Sequence, residues 1–194
     1  MKITYNGHAC FTVESEGYRI VLDPFRGVNG FEDISLCAEE VRCSHEHGDH
    51  NYREGVQLTE GKTSPFRVQT IDCFHDDKGG SLRGTNKIAV LEAEGKKVAH
   101  FGDLGHDLTP EMAAALQNLD CILIPIGGFF TIDAAKAAEI VHVLAPKKIV
   151  PMHYKDGEKG LPVLAAAEDF IALLTEEEKT RLLLVQSYGQ TAEL

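Results

Sequence analysis

Positive charge is scarce in this chain of 194 residues: 19 Lys and Arg stand against 30 Asp and Glu, a formal net charge of −11. A field of that sign repels DNA, RNA and anionic membrane surfaces, so neither nucleic acid nor a membrane is an expected partner. A small anionic substrate stays admissible, because bound divalent cations reverse the sign locally. Long apolar runs are missing as well. None reaches the length that spans a bilayer, and Met1-Lys2-Ile3-Thr4-Tyr5-Asn6 lacks the apolar core of a signal peptide. The expected location is cytoplasmic. No Cys-x-x-Cys pair occurs among the five cysteines (Cys10, Cys37, Cys43, Cys73, Cys121). Their odd number, beside apolar runs, reads as reduced core thiols rather than a disulfide framework. A phosphate-cradling G-x-x-x-x-G-K-[ST] is absent, and so is a zinc-protease His-Glu-x-x-His, since the residue four after His45 is Asp49.

What the chain does have is histidine crowded into one place, in Ser44-His45-Glu46-His47-Gly48-Asp49-His50. On extended backbone, side chains two apart point the same way, so His45 and His47 can face one point. Gly48 permits a sharp change of direction, and Asp49 and His50 emerge on a new trajectory. One loop can therefore serve two neighbouring ions, two imidazoles for one and a carboxylate with an imidazole for the other.

The length suits one domain, 1–194, with a real core, and 43% hydrophobic with 25% charged residues is ordinary for a globular protein. Strands are expected at 3–6, 10–14 and 18–22, the last stopped by Asp23-Pro24. A loop over 26–35, a short helix over 35–40 and a short extended run over 41–44 follow. A strand over 66–73 leads to His75, and a hairpin, 87–93 with 97–101, leads to Gly102-Asp103. The remainder alternates. A helix opens at Thr109-Pro110, a strand covers 121–126, and a helix runs from about 133 to 144. A strand over 148–152 leads to His153, an amphipathic helix covers 161–174, and a last strand covers 182–185. Helices flanking mixed sheets mean a layered α/β domain.

The His45 cluster, His75, Asp103 and His153 all fall at the ends of expected strands, where open α/β sheets present functional side chains. Their recurrence at one kind of position points to a single convergent site. Imidazole and carboxylate donors suit zinc, manganese, iron or nickel. Arg83, Asn86, His106 and Lys155 are weaker candidates, for contact with substrate. His8 is read as structural, and His100 and His142 as core or surface residues. Cys43 and Cys73 each precede a candidate ligand by two residues and are read as core thiols.

In order and spread, Asp23, His45-x-His47-x-Asp49-His50, His75, Asp103 and His153 resemble the metallo-β-lactamase fold superfamily. Within it the chain is similar to small single-domain metal-dependent hydrolases that include bacterial sugar-phosphate lactonases. Gly102-Asp103-Leu104-Gly105-His106, Pro125–Asp133 and Pro151-Met152-His153-Tyr154-Lys155 also look typical of that branch. The resemblance covers nearly the whole chain and implies a four-layer αββα sandwich with the site at one edge between the sheets. It implies His45, His47 and His75 on a first ion, Asp49, His50 and His153 on a second, and Asp103 bridging. Asp23 would stand behind the ligands and orient a histidine.

Two divalent ions, zinc foremost with Mn, Fe or Ni as alternatives, would arm a hydroxide. Asp49 and Asp103 would be catalytic, on a small-molecule ester, lactone, phosphodiester, thioester or amide. A persulfide-dioxygenase-like iron oxygenase on the same fold and a non-catalytic metal-binding module are the alternatives. The reading leaves room for a homo-oligomer.

Overall fold

The structure is a computed structural model that describes residues 1–183 and 189–194. Three strands come first: β1 (Lys2–Tyr5), β2 (Phe11–Ser15) and β3 (Tyr18–Leu22). They form an antiparallel meander with the register Lys2↔Glu14 and Phe11↔Leu22. Next are β4 (Leu36–Ala38), β5 (Glu40–Arg42) and β6 (Val56–Leu58), all short. The long strands β7 (Arg67–Phe74) and β8 (Thr85–Ala93) pair antiparallel along eight residues, and β8 turns into β9 (Lys96–His100). The helical half contains α1 (Pro110–Ala115), β10 (Cys121–Pro125), α2 (Ala134–Leu144), β11 (Ile149–Met152), α3 (Ala167–Ile171), α4 (Glu176–Arg181) and β12 (Thr191–Glu193).

These strands make two five-stranded sheets, ordered β12-β1-β2-β3-β5 and β11-β10-β9-β8-β7. One apolar core joins them: Ile3, Phe11, Val13 and Ile20 from the first sheet meet Ile88, Val90, Val98 and Leu123 from the second. Strand β10 is buried at every residue and runs parallel to β9 and β11, as a strand covered on both faces must. Helices α1, α2 and α3 add Met112, Ala137, Val141 and Phe170 to the same core. The first sheet's other face is covered differently. Val21 alternates away from Ile20 and Leu22 and packs with Phe25, Ile34, Ala38 and Val56, supplied by loops and the β4–β6 pair. The α/β sandwich is the expected one, with a loop-and-strand layer over β2 and β3.

Two expectations need correction. Residues 35–40 are not a helix. Leu36–Ala38 is a strand paired parallel to Val56–Leu58, twenty residues later, so a non-local ladder decides the conformation. The helix expected over 161–174 shrinks to Ala167–Ile171. Ala165 donates its N–H to Gly127 O while accepting from Lys155 N, which takes it out of a helical ladder and ties this segment to the loops near the site. At the end of the chain, Leu182 makes only a parallel bridge to Ile149, and residues 184–185 lie outside the described residues. Strand β12 and helix α4 were not expected.

Glu39, between β4 and β5, fixes this region to the first sheet. Its side chain, 3% exposed, accepts from Arg19 N, Nε and Nη2, Lys62 Nζ and Thr59 Oγ1 at 2.7–3.2 Å. Removing the acceptor strands those donors. Glu39→Ala is expected to lower stability by about 2 kcal/mol, measured by urea denaturation; a loss within error of zero would show that the cluster contributes nothing net.

Candidate metal centre

Six chemistry-bearing segments leave the C-terminal ends of six strands at one edge of the sandwich. His8 follows β1, Asp23 follows β3, His45–His50 follow β5, His75 follows β7, Asp103 follows β9 and His153 follows β11. Local sequence explains several of these exits. Pro24 ends β3 after Asp23. Gly102, at φ +52°, lets β9 pass under the metal loop: a Cβ there would stand 2.4 Å from Ser44 Cβ and Asn86 Oδ1. Asp23, His8 and His153 hold left-handed backbone themselves (φ +46°, +53°, +53°), a strain that persists only where the surroundings over-determine it.

Asp103 is the hub. Its Oδ2 stands 3.1 Å from His75 Nε2, 3.3 Å from both His50 Nε2 and His153 Nε2, and 3.9 Å from His45 Nε2. Two donor groups flank it. The ligand atoms of His45, His47 and His75 all lie within 4.8 Å of one another, and so do those of His8, Asp49, His50 and His153. Asp103 N is held by Asn86 Oδ1, and Asn86 Nδ2 donates to Phe101 O.

The hydrogen bonds behind the ligands fix which nitrogen faces the centre. Asp23, buried, accepts from Ser44 N (2.7 Å), Ser44 Oγ (2.6 Å) and His50 Nδ1 (2.8 Å). Ser44 Oγ spends its only proton on Asp23, so at 2.9 Å it accepts from His45 Nδ1. His75 Nδ1 donates to Phe130 O at 3.1 Å. Three imidazoles thus carry their proton on Nδ1 and turn a bare Nε2 inward, the tautomer a metal requires.

The inward atoms have nothing of the protein's to bond. His45 Nε2, His50 Nε2, Asp103 Oδ1 and both ring nitrogens of His8 and His153 are buried without hydrogen-bond partners. Such atoms are costly to bury unless a cation satisfies them. Burial and the neighbouring His50 hold His45 down to about 3, and burial with His153 holds His8 down to about 4, so both are neutral donors. Burial opposes charge on Asp103, yet the His153 and His50 imidazoles hold it well below the usual carboxylate range. Burial would lower His50, but Asp103 and Asp23 raise it well above the ordinary value, so the centre draws in positive charge, and a cation there would displace the proton from His50 Nε2. Neutral imidazoles, ionised carboxylates and orphaned inward lone pairs fit divalent transition ions.

All seven expected ligands therefore meet in one place, and Asp23 lies behind His50 and Ser44 with every near contact spent on them. The substrate candidates separate. Arg83 lines a cleft of about 250 Å³ over the centre, together with Leu82, Phe130 and Leu161. Its guanidinium sits 5.6 Å from the Phe130 ring centroid. Asn86 is fully buried, and its role is to carry Asp103, not to reach the cleft. His106 turns away: Nε2 accepts from Phe74 N and Nδ1 donates to Asp107 O. Lys155 is exposed and does not line the cleft. His100 is buried, bonded to Ala9 O, and His142 pairs with Glu178. The Cys73 thiol bonds Asn86, and neither it nor Cys43 belongs to a donor group. His8, read as structural, is brought by the fold beside Asp49, His50 and His153; Gly7-His8 before β2 looks like an ordinary turn in the sequence.

Asp23→Asn removes the charge and leaves one acceptor oxygen for two, so an amide N–H must face either Ser44 N–H or the paired donors Ser44 Oγ–H and His50 Nδ1–H. Metal affinity is expected to fall by about 10- to 100-fold with the circular dichroism spectrum retained, measured by competition with a chromophoric chelator. Wild-type affinity in the variant would remove Asp23 from the centre's support.

Residues 2–153 match the family model of a beta-lactamase superfamily domain. A "UPF0173 metal-dependent hydrolase" of Carboxydothermus hydrogenoformans is 30% identical, covering 86% of this chain and 88% of its own length. One of Desulforamulus reducens is 31% identical over 79% of this chain and 84% of its own. Among solved structures, a metallo-beta-lactamase superfamily protein of Thermotoga maritima aligns with a TM-score of 0.70 at 34% identity, covering 89% of this chain and 85% of that one. These likenesses mean that the chain belongs to the metallo-β-lactamase superfamily of metal-dependent hydrolases.

Proposed function

We propose that this protein hydrolyses a small anionic molecule with an apolar body, cleaving an ester, lactone, phosphodiester, thioester or amide at a centre that holds two divalent ions, zinc foremost. The observation that carries this reading is Asp103 Oδ2 standing between two donor groups, one built on His45, His47 and His75 and the other on Asp49, His50 and His153. Bound ions there would supply Lewis acidity and an activated water at neutral pH.

The chain's own residues do the rest. Asp103 holds its carboxylate between the two groups, and Asn86 fixes its backbone from below. Asp49 is 29% exposed at its side chain and faces the cleft, placed to accept the attacking water's proton and return it to the leaving group. Arg83 forms no salt bridge among the described residues, and its planar cation beside Phe130 suits a substrate carboxylate or phosphate. Leu82 and Leu161 shape the wall for the apolar part. Net charge −11 does not oppose this, since two divalent ions outweigh the nearby carboxylates.

Two measurements test the proposal. Elemental analysis of untreated protein is expected to give two divalent ions per chain. A hydrolysis screen over the five bond types should find turnover that chelation abolishes and the same metal restores. His47→Ala should lose one ion and slow hydrolysis by at least about 10- to 100-fold; unchanged metal content and rate would sink the reading. On the substrate so found, Arg83→Ala should raise KM by about tenfold, roughly 1.4 kcal/mol of binding, with kcat within about twofold. An effect confined to kcat would deny Arg83 the role of anion clamp.

A further inference from the structure

The sequence motifs give the second ion three protein donors besides Asp103. We propose that His8 is a further ligand of that ion, completing a group of His8, Asp49, His50 and His153; this rests on the two-ion reading above.

The side chain of His8 is fully buried, and neither ring nitrogen has a hydrogen-bond partner. A core histidine satisfied by its neighbours would not look like this. Its Nε2 stands 3.5 Å from Asp49 Oδ2. The accepted donors show the same spacing, 3.7 Å from His50 Nε2 to Asp49 Oδ2 and 3.3 Å from His153 Nε2 to Asp103 Oδ2. Two donors on one zinc at about 2.0–2.1 Å, at the angles of about 90–120° of a five-donor site, are roughly 2.9–3.6 Å apart. The separation from Asp49 thus fits a co-ligand better than a hydrogen bond, whose N···O distance centres near about 2.9–3.0 Å.

The backbone aims the ring. His8 holds a left-handed φ of +53°, and His153 N donates to His8 O at 3.3 Å. Cys10 N donates to Gly7 O and Asn6 N to Cys10 O, which closes the turn. The His8 ring then lies 4.3 Å from that of His153 and 5.2 Å from that of His50, centroid to centroid. A turn bent at this cost, delivering an unbonded imidazole beside three donors, is built to hold something at Nε2. With His8 included, the second group has more protein donors than the first, so its ion should be the harder to remove.

The test uses the full chain, with zinc or cobalt alone as probe. Wild type should bind two ions and release them to a chelator in two steps, the first-site ion first. His47→Ala marks the first site and His153→Ala the second. His8→Phe fills the space of the imidazole without offering a donor. It should weaken the second ion by about 10- to 100-fold, leave the first unchanged, and shift the visible absorption of cobalt bound at the second site. Two wild-type affinities and a wild-type cobalt spectrum in His8→Phe would overturn the proposal.

If the variant does not fold, 15N-histidine NMR of the zinc-loaded wild type decides. Six metal-shifted imidazoles support His8; the five of His45, His47, His50, His75 and His153 alone exclude it. A wild-type chain that binds only one ion overturns the two-ion reading separately. If His153→Ala abolishes that ion, its affinity in His8→Phe still decides for or against His8; if the ion survives, His8 fails as well.

Discussion

One carboxylate oxygen, Asp103 Oδ2, lies within 3.1–3.9 Å of four imidazole nitrogens, and much of this architecture serves to bring it there. The imidazoles come from three separate strand exits, so the hub forms only when both sheets are in register. Asp103 sits at the end of β9, near the middle of the second sheet, while His45 and His50 follow β5 at the edge of the first. The joint between them is Gly102, where a side chain would strike Ser44 and Asn86. The core that joins the sheets therefore also fixes the ligand geometry, and the centre inherits its rigidity from the sandwich rather than from its loops.

Charge follows the same arrangement. Asp23, Asp49 and Asp103 bring three carboxylates close to one another in a chain already strongly acidic. Asp23 accepts from Ser44 and His50 on both of its oxygens. It acts through them: one buried anion sets the tautomer of His50 directly and of His45 through a serine hydroxyl. Asp103 Oδ1 has no such partner. This difference separates a carboxylate whose oxygens are already bonded by the protein from one left open to a cation, and residue type alone would not have told them apart.

Local pattern made part of this legible. His45 and His47 were expected to face one point from their spacing of two, and although residues 44–47 form bends beyond β5 rather than a strand, their ligand atoms do meet with that of His75, while the turn at Gly48 carries Asp49 and His50 to a second group. His75, Asp103 and His153 could be placed because each follows an expected strand. What failed was whatever depended on a distant partner. Leu36–Ala38 is a strand because Val56–Leu58 lies beside it. Residues 161–166 are not helical because Gly127 and Lys155 take their backbone groups. Asn86 was a candidate for contact with substrate, but β8 carries it beneath Asp103. Helix α4 was readable: Thr175 and Glu178 form a capping box, with the threonine hydroxyl on Glu178 N and the carboxylate on Thr175 N.

Left-handed backbone at His8, Asp23 and His153 connects the fold to the chemistry. A non-glycine residue in that region costs of order 1–3 kcal/mol, and each of these three directs its side chain into or directly behind the metal centre. Two are coupled, since His153 N reaches His8 O. Strain of this kind, together with inward lone pairs that the protein leaves unbonded, means that the folded chain has already borne the cost of assembling the site. Ligand fields that must first be organised lose that energy from binding. Here the sandwich core has organised them beforehand, so the free energy of cation binding adds to the stability of the fold instead of being spent on gathering its ligands.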